Sequence, residues 1–266
     1  MKALKIFEEV YNKDVIDKNF SRREALTKGL GFGLKAAMAA IPFGLLDALN
    51  NKAQAGPPPP PPTAVTGILN FALKLEYLES SFYLMGLNSS GLIPSSDAKI
   101  IMQISKHETA HVALLKQTIT TLGDTPVAEP TFDFTAGGTY ADVFSNYQTF
   151  LALSNAFEDT GVRAYKGQAV GLMGSGAVLT AALDIHSVEA RHASEIRRLR
   201  GFKGWITNAT ANGLPAAIYA GEDTTMEGGV DVTTITKAPA ASITEAFDEP
   251  LSMAAVLAIA GPFIKA

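Results

Sequence analysis

The sequence contains no cysteine. That absence removes disulfide frameworks, iron–sulfur clusters and cysteine nucleophiles, and leaves oxygen and imidazole as the only ligands for a metal. Histidine is scarce too, at four in 266 residues, so each position is informative. The 22 basic residues face 26 acidic ones and, apart from the pair Arg22-Arg23 and the group Arg197, Arg198 and Arg200, are scattered singly. Such a balance leaves no electrostatic footprint for nucleic acid. The apolar stretch at 29–46 is short, rich in glycine and interrupted by Lys35, a costly charge in hydrocarbon, so no stable membrane span is expected once a leader is removed. What is there, 47% hydrophobic and 18% charged residues, is an ordinary globular composition that excludes general disorder and suffices for one large domain or two small ones.

Charge is unevenly distributed. Residues 1–55 hold nine Lys/Arg against six Asp/Glu, a net +3, which leaves −7 on residues 56–266. Within the basic part, Ser21-Arg22-Arg23-Glu24 precedes the apolar stretch and Ala53-Gln54-Ala55, a small-x-small pattern. This arrangement resembles a cleaved twin-arginine export signal over 1–55, with an uncleaved anchor as the alternative. Periplasmic or cell-envelope localisation is the expectation. Pro57 to Pro62 then impose an extended polyproline spacer over 56–63, because none of them donates a backbone hydrogen bond.

Four helices follow, each with polar residues where a core face should be apolar. Steps of three and four align Leu69, Leu73, Glu76, Ser80 and Tyr83 within 66–87. In 97–122 the stripe is Ile101, Ile104, Glu108, His111, Leu115 and Leu122, opened by the capping sequence Pro94-Ser95-Ser96. Phe144, Tyr147, Leu151, Ser154, Glu158, Gly161 and Tyr165 form the stripe of 140–170. In 175–200 it is Val178, Ala182, Ile185, Glu189, His192, Ile196 and Leu199, ending at Gly201 with arginines that complement the helix dipole.

An unpaired buried carboxylate is costly, so one on each of four core faces requires a shared partner. A metal centre supplies it. Residues three apart lie on one helix face with Cβ atoms about 5–6 Å apart, so Glu108 with His111 and Glu189 with His192 each address one cation. Glu76 and Glu158 complete a set of four carboxylates and two imidazoles suited to two divalent ions, iron or manganese.

An internal repeat sharpens the set. Glu76 and Tyr83 recur 82 residues later as Glu158 and Tyr165, and Glu108 and His111 recur 81 residues later as Glu189 and His192. Glu79, close enough to Glu76 to compete for the ligand role, maps to Gly161 and is the weaker candidate. His107 maps to Val188 and His186 to Ser105, so neither has a repeat partner. Tyr83 and Tyr165 are candidate catalytic residues, as hydrogen-bond donors to the ligands or redox-active groups. Ordinary core tyrosines are the alternative. Asp159 should point away from the site.

These features resemble the ferritin-like superfamily of di-metal carboxylate four-helix bundles, built from two helices with a lone Glu and two with Glu-x-x-His. Leu75-Glu76-Tyr77-Leu78-Glu79 with Phe82-Tyr83, Val188-Glu189-Ala190-Arg191-His192 and the tail Glu245-Ala246-Phe247-Asp248-Glu249-Pro250-Leu251 resemble its exported branch, which includes desiccation-related and stress-response members. The resemblance implies an all-α fold, with the bundle at 64–200 and a loop-rich extension with extra short helices at 201–266. It also implies metal binding, with oxidase or peroxide-scavenging chemistry on dioxygen or peroxide as the expected activity and iron storage set aside. A non-catalytic stress or envelope protein with a structural metal site is the alternative, and a homo-oligomer is compatible with either.

Overall fold

The computed structural model describes residues 60–265, so the expected leader and most of the proline spacer lie outside the described residues. The fold is all-α. Four long helices, α1 (Pro62–Asn88), α2 (Ala98–Thr121), α3 (Tyr147–Gln168) and α4 (Ala177–Leu199), form the bundle, and two short ones, α5 (Ala240–Thr244) and α6 (Met253–Ala260), follow in the tail. Pro62 occupies the first turn of α1, where its missing N–H costs nothing. α4 stops in a Schellman motif: Gly201 adopts φ +80°, Phe202 N–H donates to Arg197 C=O and Gly201 N–H to Arg198 C=O.

α3 begins at Tyr147 rather than near 140. Asn146 caps it by accepting from the Gln148 N–H at 3.0 Å, and the Asp142 carboxylate bonds the side chains of Asn146 and Thr149. These contacts hold the preceding residues in turns. Phe144 still reaches the core from outside the helix.

α1 packs chiefly on α2 and α3 chiefly on α4, and the two pairs meet mainly through α1 and α3. Gly86 is required at that meeting, since a Cβ there would run into the Phe150 ring. The core is divided along its length. One apolar cluster joins Leu78, Phe82, Ile101, Ile104, Leu151, Phe157 and Ile196. The other joins Leu69, Leu73, Leu115, Ile119, Val178 and Ile185. On every helix the charged positions fall between the two, so the polar layer sits at mid-bundle, sealed by hydrocarbon at both ends.

The remaining chain is fastened to this frame. In the α2–α3 crossover, β1 (Thr131–Phe132) pairs antiparallel with β4 (Ile264–Lys265) at the end of the described chain. β2 (Met226–Glu227) and β3 (Val230–Asp231) form a hairpin whose two-residue turn, Gly228-Gly229, has both φ values positive. Arg163 of α3, fully buried, donates to the carbonyls of Glu249, Ile218 and Ala220 and pairs with Glu222 at 2.8 Å. No helix among the described residues is long and apolar enough to cross a membrane.

Candidate metal centre

Each helix delivers its carboxylate to the middle of the bundle because the flanking stripe positions are held in the two apolar clusters. Glu76, Glu108, Glu158 and Glu189 are all 0% exposed, and His111 and His192 are buried with them. His111 Nδ1 lies 3.1 Å from Glu76 Oε2, 3.2 Å from Glu108 Oε2 and 3.0 Å from Glu189 Oε1. His192 Nδ1 lies 2.8 Å from Glu108 Oε1, 3.4 Å from Glu158 Oε2 and 3.8 Å from Glu189 Oε2. Glu108 and Glu189 therefore divide their two oxygens between the two imidazoles, whereas Glu76 serves only the first and Glu158 only the second.

The result is two overlapping ligand groups. Glu76, Glu108, His111 and Glu189 form one, and Glu108, Glu158, Glu189 and His192 the other, with one ligand atom per residue and all atoms of a group within 4.8 Å of one another. All six residues predicted as ligands are thus brought together. The antiparallel course of α1 and α3 shows in a second set of contacts. Tyr83 of α1 donates to Glu158 of α3 and Tyr165 of α3 to Glu76 of α1, so seven steps forward on one helix match seven back on the other.

The donor set fits divalent cations. Glu108 Oε1, Glu158 Oε2, both oxygens of Glu189 and His192 Nδ1 are buried without a hydrogen-bond partner, although His192 Nδ1 lies close to several of those oxygens. Proximity without hydrogen-bond geometry is what atoms converging on a common centre show, and buried carboxylates left so would otherwise be prohibitively costly. Hard oxygen and neutral imidazole ligands suit first-row divalent ions.

Protons and cations compete for these atoms. Burial, and then the charge of Glu189, raise the Glu76 carboxyl well above its ordinary value, and burial does the same for Glu158. Burial pushes Glu189 upward too, but the two imidazoles outweigh it and hold this carboxyl at about 2. Burial disfavours a charged His111, yet Glu108, Glu189 and Glu76 together push it up to about 12. Burial opposes the charge on His192 too, but Glu158 first, with Glu108 and Glu189, raises it well above its ordinary value. In the absence of a cation, protons on the imidazoles take over the role of positive charge at the centre.

The sequence profile of the ferritin-like domain family matches residues 64–201, more than half of the chain. The chain belongs to the ferritin-like domain family. No curated protein matches it. Within this ferritin-like bundle several side chains take places that the sequence pattern did not reveal. Glu79, 2% exposed, lies beside the centre but in neither ligand group; its Oε1 is 3.1 Å from where a Cβ on Gly161 would sit. Asp159 does point away from the ligands, into a buried pair with Arg197 and a 2.7 Å hydrogen bond from Tyr219. Arg197, in the last turn of α4, is therefore interior and neutralises a buried carboxylate as well as standing at the helix C-terminus. His107, without a repeat partner, contacts His192. Its only sequence signals were its place beside Glu108 and a glutamine, Gln103, one turn earlier.

Proposed function

We propose that the chain is an exported di-metal carboxylate protein whose ion pair, iron or manganese, reacts with dioxygen or peroxide in stress protection. The observation that carries this reading is the division of Glu108 and Glu189, each offering one oxygen to each ligand group, so that two ions would share both carboxylates. Glu76 and His111 would complete one position, Glu158 and His192 the other. Bound there, a redox-active pair supplies the electrons that reduce an oxidant.

The protein's own groups prepare the site. Tyr83 and Tyr165 each hold the outer oxygen of a terminal carboxylate, leaving the inner oxygen aimed at the imidazole. Both hydroxyls are kept protonated, since burial first and the adjoining carboxylate second raise them well above the ordinary tyrosine value. They act as fixed donors. The two apolar clusters exclude bulk water and restrict the site to small molecules.

Metal analysis of purified protein loaded anaerobically tests the reading: two divalent ions per chain are expected, and well under one would overturn it. Oxidant consumption by the iron and manganese forms then separates oxidase from peroxide-disproportionating chemistry. A purely structural metal site is the second reading, favoured by the complete burial of all four carboxylates. Glu108→Ala combined with His192→Ala distinguishes the two. An intact fold with lost oxidant consumption supports the enzyme, and a lost fold with no activity in the parent protein supports the structural role.

A further inference from the structure

The two halves of the centre differ behind their histidines. His192 Nε2, on the far side of the ring from the carboxylates, lies 2.8 Å from Nδ1 of His107. The two rings are nearly coplanar and meet edge to edge, with centroids 5.1 Å apart and planes within 12°, so the ring nitrogens face each other in plane. His107 Nε2 in turn lies 2.7 Å from the side-chain amide of Gln103, which is exposed at the bundle surface. The other half has no counterpart. His111 makes its side-chain hydrogen bonds through Nδ1 alone, and the repeat position of His107 is Val188, which has no acceptor.

Proton bookkeeping gives this chain of contacts a direction. A ring nitrogen that binds a cation offers its lone pair and carries no hydrogen. If His192 binds through Nδ1, its hydrogen is on Nε2, where it donates to Nδ1 of His107. His107 then holds its own hydrogen on Nε2 and donates outward to Gln103, which receives it through the amide oxygen after a half-turn of that amide. Each contact has one donor and one acceptor in this arrangement and in no arrangement with His107 reversed, because a hydrogen on His107 Nδ1 would face the one on His192 Nε2.

We propose that His107, backed by Gln103, is a positioning residue for one of the two metal positions alone. It fixes the plane and tautomer of His192 and so raises divalent-ion affinity in the Glu108–Glu158–Glu189–His192 group relative to the group around His111. The proposal rests on the di-metal reading. It makes the two positions unequal despite the repeat in the ligands themselves.

Titration of metal-free protein with Mn2+, followed by calorimetry, tests it. The parent protein should bind two ions in two steps. His107→Phe, which keeps a ring but removes the acceptor, should weaken one step by about 10–100-fold and leave the other unchanged. His107→Asn, whose amide oxygen falls near the position of Nδ1, should restore most of the loss. Gln103→Leu, a surface change that leaves the core intact, should weaken the same step by a smaller factor and guards against a His107→Phe protein that fails to fold. A His107→Phe protein that binds both ions like the parent, or weakens both equally, overturns the proposal while the di-metal reading stands. A parent protein that binds no Mn2+ or other divalent ion overturns both.

Discussion

The hydroxyl of Tyr83 on α1 donates to Oε1 of Glu158 on α3 at 2.6 Å, inside a core from which both residues exclude water completely. Its repeat mate Tyr165 makes the same bond in reverse, to Glu76. Each pair ties the two halves of the bundle together at the level of the candidate metal centre.

Tyr83→Phe should therefore destabilise the metal-free protein by about 1–2 kcal/mol, the cost of leaving a buried acceptor without its donor. Urea unfolding measures it. In a double-mutant cycle with Glu158→Leu, which removes the acceptor, the pair should show a coupling of about 1 kcal/mol, and strictly additive effects would show that the hydroxyl does not act through Glu158.

The helices and the ligand set were legible in the sequence for one reason: charge interrupts an apolar stripe only where something compensates it, and here it does so four times at a repeating offset. Periodicity reports which face is buried, not where a helix starts. That is why the stripe extends to about 140 while α3 itself starts at Tyr147; Asn146 and Asp142 decide the onset through local side-chain bonds. The roles of Arg163 and Arg197 leave no periodic signal, because the partners of Arg163 are carbonyls of an aperiodic tail and that of Arg197 is Asp159 on a different helix. His107 was hidden by asymmetry, since the repeat that identified the ligands excluded it.

Stability of the metal-free protein should fall as pH rises above about 4.5. Burial raises Glu76, Glu79 and Glu158 well above their ordinary value of 4.5, so each stabilises the fold while protonated and gives this up as pH climbs through its raised value. His111, pushed to about 12 against the opposing effect of burial, contributes fully below its ordinary 6.5 and loses that contribution on the way to 12. Glu189, held at about 2, works the other way and is lost only as pH falls from 4.5 toward 2. The optimum should lie near pH 4.5, with a decline from there that steepens above 6.5, where the histidines join in, in urea unfolding series. Added divalent ion, which displaces the same protons, should stabilise more strongly as pH rises. A flat or rising profile for the metal-free protein above pH 6.5 would contradict this assignment of protons.

The loop-rich tail should depend on a single buried cation. Arg163→Met removes the donors to three tail carbonyls and leaves Glu222, 1% exposed, without its 2.8 Å partner. A loss of about 3–5 kcal/mol is expected, as for any buried ion pair deprived of one member. Limited proteolysis should cut the region 202–240 earlier than in the parent protein. Arg163→Lys should recover little, because a single ammonium cannot serve three carbonyls and a carboxylate at once. Parent-like resistance in Arg163→Met would show that the tail is held by its apolar contacts alone.

Glu79 and Gly161 occupy equivalent positions in the two halves of the repeat and face each other, which makes the missing side chain at 161 a condition for the carboxylate at 79. A Cβ on Gly161 would lie 3.1 Å from Glu79 Oε1 and 3.6 Å from Glu189 Oε2. In a free helix interior, Gly→Ala gains about 1 kcal/mol. Here Gly161→Ala should gain nothing or destabilise, since Glu79, hemmed in at 2% exposure, must shift to admit the methyl group. In a Glu79→Ala background the same substitution should stabilise by about 0.5–1 kcal/mol, because the nearest obstacle is gone and the helix preference acts alone. Equal effects of Gly161→Ala in both backgrounds would place the Glu79 carboxylate elsewhere, and would remove the reason for glycine at this point in α3.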